Sequence, residues 1–100
     1  MKAFTVSGDT PERFLRKLQR ALGKGELGKY ARMTLALPEA TIAFEKMGTT
    51  EFVYSIKQQG EAFTATKVSE TVALTHALFR GEVERELERM VHRFGGTVIR

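Results

Sequence analysis

The chain contains no cysteine, tryptophan or asparagine, only two prolines, and a single aspartate, Asp9. Each shortage removes a class of explanation. Without cysteine there can be no disulfide framework, thiolate metal site or thiol nucleophile, which fits a reducing, cytoplasmic setting. The two histidines, His76 and His92, have no second ligand at metal-binding spacing, so neither a metal nor another cofactor is expected. Side-chain amides are confined to Gln19, Gln58 and Gln59, a depletion that suits a hot environment. No apolar run approaches the ~20 residues needed to span a bilayer, and the opening MKAFTVSGDT lacks a signal-peptide core. The expectation is a protein neither exported nor embedded.

What is present is ordinary globular composition. With 42% hydrophobic and 28% charged residues, a chain of 100 residues is long enough for one core, and nothing resembling a linker or repeat divides it. A single domain over residues 1–100 is expected. The net charge of +4 is unevenly placed: Lys2, Arg13, Arg16, Lys17, Arg20, Lys24, Lys29 and Arg32 face only Asp9, Glu12 and Glu26 in the first third, and the remainder is nearly neutral.

Residues 2–7 alternate Phe4 and Val6 with small polar residues, the period of a half-buried strand. Thr10-Pro11-Glu12 then reads as a helix start, with Thr10 as cap, proline in the first turn and an acid near the positive end of the dipole. Phe14, Leu15, Leu18, Ala21 and Leu22 form the apolar stripe of that helix, and Gly23 and Gly25 stop it. Strands follow: one with Ala31, Met33, Leu35 and Leu37 on one face, ended by Pro38, a second around Ile42 and Phe44, and a third with Phe52, Tyr54 and Ile56. Gln58-Gln59-Gly60 reads as a hairpin turn, after which residues 61–68 return. Residues 71–79 alternate Val72, Leu74, His76 and Leu78 and are expected as a further strand. From Gly81 a helix carries Val83, Leu87, Met90, Val91 and Phe94 on one side, and Thr97–Ile99 is a last short strand. The fold class is α+β, a curved and mostly antiparallel sheet packed by two helices in the order β-α-β-β-β-β-(β)-α-β. That order resembles the architecture of TATA-box-binding-protein halves and of helix-grip lipid-binding proteins. The likeness is one of element order, and no residue is carried over from it.

Gly23 to Tyr30 nearly spells a phosphate-binding GxxxxGK[ST] loop, but tyrosine stands where a short hydroxyl is needed, and the run leaves a helix instead of opening one. It reads as a helix-to-strand connection. His92 suits the negative end of the last helix, and His76 reads as a buried, hydrogen-bonded structural histidine. Ser7, Ser55 and Ser69 lie in no nucleophile elbow, and no acid-base pair can be read, so catalysis is not expected.

Two constellations remain. Arg13, Arg16, Lys17, Arg20 and Lys24, continued by Lys29 and Arg32, form a basic edge with no acid between Arg13 and Lys24, suited to a phosphate backbone. The sheet face turned from the large hydrophobes carries Tyr30 and otherwise mostly small residues, among them Thr34, Ala36, Val53, Ser55, Thr64 and Thr66, and suits packing against a second copy. The leading expectation is therefore a small non-catalytic binding module that holds nucleic acid or another polyanion. A homo-oligomeric adaptor comes second. A carrier of an apolar molecule comes third, with Met33, Phe44, Tyr54, Phe63, Met90 and Phe94 between sheet and last helix as its lining.

Overall fold

A computed structural model describes residues 1–99, with the backbone alone at 26 and 27. Among these residues six antiparallel strands form one open sheet in the order β2-β3-β4-β5-β1-β6: β1 (Ala3–Ser7), β2 (Ala31–Ala36), β3 (Glu39–Glu45), β4 (Thr49–Gln59), β5 (Ala62–Thr71) and β6 (Thr97–Ile99). Two helices, α1 (Pro11–Lys24) and α2 (Arg80–Arg93), cross between β1 and β2 and between β5 and β6. The four consecutive strands β2 to β5 are a meander, as the alternating sequence implies. The α+β class and element order are those expected.

Period-two and period-3.6 patterns meet on one face of the sheet. Phe4, Val6, Ile42, Phe44, Phe52, Tyr54, Ile56 and Phe63 point to the helices, which return Phe14, Leu15, Leu18 and Leu22 from α1 and Leu87, Met90 and Val91 from α2. The Phe14 ring sits 5.8 Å from both Phe4 and Phe63, within the range of tilted and edge-on aromatic packing. One space of about 10 Å³ lies in the core between sheet and helices, walled by side chains such as Phe4, Leu18, Tyr54 and Leu87. That is about the size of one water, and its apolar walls offer no reason to hold one.

The local signals act where expected. Thr10 is extended and its Oγ1 accepts the Arg13 N–H at 3.2 Å, capping α1, while Pro11 occupies the first turn. The β4–β5 hairpin turns at Gly60-Glu61, one residue later than the sequence reading, with Gly60 at φ +61°, where a side chain would be strained.

A bulge sets the second half of the sheet. Val53 pairs with Ser69 but Tyr54 pairs with Lys67, leaving Val68 as the extra residue. Lys67 is thereby placed on the helix side, 4.9 Å from the centre of the Phe52 ring, with its ammonium bonded to Glu70 and Glu84. The Met1 ammonium lies 3.0 Å from Glu84 and 3.6 Å from Glu88, and Arg80 Nη2 lies 2.7 and 2.8 Å from the two oxygens of Glu70. This cluster ties the start of α2 to the sheet.

Of the strand expected over residues 71–79 only Thr71 is in one, as the last residue of β5, and residues 72–79 are not a strand, which corrects the sequence reading. β5 ends at Thr71, whose partner Glu51 lies two residues from the start of β4, so beyond it there is almost no backbone left to pair with. The chain turns instead: the Ala73 N–H donates to Thr50 Oγ1 at 3.1 Å, and Leu74–Phe79 forms a 3-10 helix. Leu74 and Leu78, which the alternation placed with the hydrophobic face, stand 96% and 91% exposed. No helix among the described residues is long and apolar enough to cross a membrane.

Candidate nucleic-acid interface and groove

The amphipathic pattern of α1 buries Phe14, Leu15, Leu18 and Leu22 and so turns its cations outward. The structure divides the basic edge into two sets. Asp9, one turn before the stripe, accepts from Lys17 Nζ at 2.9 Å and lies 3.2 Å from Arg13 Nε. The Lys17 hydrogen bond, with help from the Thr10 N–H and the Arg13 charge, holds the Asp9 carboxyl below its usual range despite some desolvation. Arg32 sits on the far side of the sheet, opposite Ala43 on β3, and pairs with Glu45 at 3.1 Å. It does not continue the α1 edge. Arg16, Arg20, Lys24 and Lys29 are exposed and, among the described residues, take part in no ion pair.

The glycine-rich run after α1 is a helix-to-strand connection, with a short 3-10 helix over Glu26–Lys29. Gly28 lies so close to the Leu22 and Gly23 backbone that a Cβ there would collide with it, which explains the glycine without any phosphate.

Beside α1 opens a groove of about 870 Å³ that sequence reasoning did not foresee. Ala21 and Leu22 of α1 and its cap Gly25 form one wall, and Val83, Arg85, Glu86, Arg89 and Met90 of α2 the other. Phe44 and Phe52 floor it, and Tyr30, Lys46, Met47, His76 and Phe79 close one end. Among the described residues no cation of the basic edge lines this groove; what α1 presents to it is Ala21, Leu22 and the Gly25 that caps the helix. Lys46 Nζ lies 4.6 Å over the Tyr30 ring, a cation–π contact that holds both at the mouth. Arg89 pairs with Glu86 at 3.0 Å, whereas Arg85 and Lys46 have no ion pair among the described residues.

The closed end is built by a hydrogen-bonded relay. His76 Nε2 lies 2.6 Å from the Lys46 carbonyl oxygen, which can only accept, so this nitrogen carries the proton. In the neutral ring Nδ1 then accepts from the Thr50 hydroxyl at 2.6 Å, while Thr50 Oγ1 accepts the Ala73 N–H. Thr75 adds a bond from its hydroxyl to the Met47 carbonyl at 2.8 Å. His76 is thus a partnered structural histidine, half-buried on a 3-10 helix instead of in a strand.

On the other face of the sheet, Thr34 lies opposite Thr41, Thr41 opposite Val53, Ser55 opposite Thr66 and Thr5 opposite Thr64. Among the described residues no helix covers this face, and Ala36 lies on it as expected. Tyr30 does not: it precedes β2 and its ring belongs to the groove. Of the six side chains proposed to line an apolar carrier site, only Phe44 and Met90 reach the groove. Tyr54 and Phe63 are core residues, and burial, with the negative charge of Glu84, Glu70 and Glu88 behind it, pushes the Tyr54 hydroxyl pKa well up. Among the described residues no three histidine, aspartate or glutamate side chains gather as a metal site. No protein-family model, curated protein or solved structure matches the chain, so the site is read from its own geometry.

Proposed function

We propose that this protein is a small non-catalytic binding module for a polyanion, nucleic acid foremost, engaged through the basic edge of α1. The observation that carries this reading is the set Arg16, Arg20, Lys24 and Lys29, exposed and without ion pairs among the described residues. A cation already paired with a carboxylate gains little from a phosphate, whereas an unpaired one displaces a condensed counterion and adds affinity. Asp9 and Glu45 quench three of the seven cations in the expected interface and leave these four. Fluorescence anisotropy with a labelled oligonucleotide at low and moderate salt tests it. Arg16→Glu with Arg20→Glu should weaken binding to every sequence and flatten the salt slope by roughly 0.9 for each phosphate no longer neutralised. Absence of wild-type binding at low salt, or equal binding by the double reversal, refutes the reading.

A second reading is favoured by one observation: both helices lie on the same side of the sheet, leaving a bare face of small residues including Thr34, Val53, Ser55, Thr64 and Thr66. Such a face suits stacking on the same face of a second copy. Sedimentation at micromolar concentration separates monomer from dimer.

A further inference from the structure

We infer that the groove between α1 and α2 receives the unpaired bases of a single-stranded nucleic acid whose backbone lies along the α1 edge; this rests on the polyanion reading above. Of the nine aromatic residues, Phe4, Phe14, Phe44, Phe52, Tyr54 and Phe63 are buried, which leaves Tyr30, Phe79 and Phe94 with rings that reach the surface. Two of those three, Tyr30 and Phe79, line this groove, and Phe79 is 55% exposed, unusual for a phenylalanine that has a core within reach. Lys46 and Arg85, unpaired by any carboxylate among the described residues, flank them. Rings that reach the surface beside cations without ion pairs, Phe79 in the open and Tyr30 with Lys46 over one face, match what holds single strands: phosphates on the cations, bases stacked on the open ring faces. In a duplex the base faces are already stacked on one another, so only the cations would be used.

The same geometry disfavours an apolar chain. The aliphatic and aromatic floor is already covered by protein, with Leu22, Phe44, Phe52 and Met90 at 4%, 5%, 0% and 6% exposure, so no deep apolar slot remains to be filled. What the groove offers to a ligand is ring faces, the exposed Met47 side chain and charge at its rim, within a volume typical of ligand sites.

The test is anisotropy of a labelled mixed-sequence single strand and of the duplex of the same length, in DNA and RNA arms, with wild type, Phe79→Ala, Tyr30→Ala and Phe79→Trp. Both aromatic positions lie outside the core, and thermal melting verifies that each variant is folded. The single strand should bind more tightly than the duplex. Phe79→Ala and Tyr30→Ala should each weaken it by roughly 5- to 150-fold, the range of one stacked base, and leave duplex binding unchanged. Phe79→Trp should retain single-strand binding, with its fluorescence quenched on addition of the strand. Equal binding of strand and duplex, both indifferent to the two alanine variants, overturns the groove assignment and leaves the α1 reading standing. No binding of either at low salt overturns both.

Discussion

Thr50 and His76, 26 residues apart in the chain, are joined side chain to side chain at 2.6 Å, and this bond fastens the 3-10 segment to the start of β4. Thr50 is 3% exposed and its oxygen also accepts the Ala73 N–H, so the histidine is the acceptor that its hydroxyl proton requires. His76→Ala should therefore leave a buried hydroxyl unsatisfied at a cost of about 1–3 kcal/mol. The loss should be local. Amide exchange should quicken over residues 73–79 while the β3, β4 and α1 amides keep their protection; uniform acceleration throughout the chain would contradict the latch.

Leu87 is 1% exposed in the wall between α2 and the sheet, and Arg16 is exposed with no ion pair among the described residues. Leu87→Ala should cost about 2–5 kcal/mol, a large share of the about 5–15 kcal/mol expected of a small domain. Arg16→Ala should change stability by no more than about 0.5 kcal/mol. Denaturant titration of both variants measures the contrast, and a Leu87→Ala midpoint equal to wild type would disprove the buried face of α2.

Acid should loosen α2 first. Burial by itself would raise the Glu84 and Glu70 carboxyls, but hydrogen bonds and charge from Lys67, the Met1 ammonium and Arg80 outweigh it and hold both below the ordinary glutamate range. Groups depressed on folding stabilise the fold fully above their unfolded value and lose that contribution as pH falls through the folded one. Melting temperature followed from about pH 6 down to about pH 2 should fall below the ordinary carboxylate range, and Glu84→Gln should flatten part of that fall. A wild-type curve level through the acid range would contradict the role of this cluster.

If the bare sheet face joins two copies, Thr34→Lys with Thr64→Glu should drive the protein to monomer with its circular dichroism unchanged, since both residues lie away from the core. A wild-type protein that sediments as a monomer at micromolar concentration ends that reading.

Much of the fold was legible because periodicity and punctuation agree. The Thr10-Pro11 start of α1, the alternation through Phe52, Tyr54 and Ile56, and the stripe from Val83 to Phe94 each act locally, and the structure uses them as written. Residues 72–79 misled for a physical reason: alternation reports a pattern, whereas a strand also needs a partner, and β4 runs out near Thr49. The candidate site was half legible. The cations of α1 could be read from helical phase, but that Asp9 reaches back to Arg13 and Lys17, and that Arg32 lies across the sheet, depend on tertiary placement. The groove was invisible because Tyr30, the Lys46–Thr50 turn and the Phe79–Arg85 stretch come from three separate parts of the chain. The one signal available was a phenylalanine, Phe79, beside a helix start whose apolar stripe did not need it.

The most direct measurement is amide chemical-shift mapping during titration with a short mixed-sequence single strand at low salt. The account predicts shifts that begin along Arg16, Arg20 and Lys24, continue into Tyr30, Lys46, Phe79 and Arg85, and fade as salt is added, while Thr34, Val53 and Thr64 on the far side of the sheet stay still. Shifts confined to the far sheet face, or none at ligand excess, would contradict it.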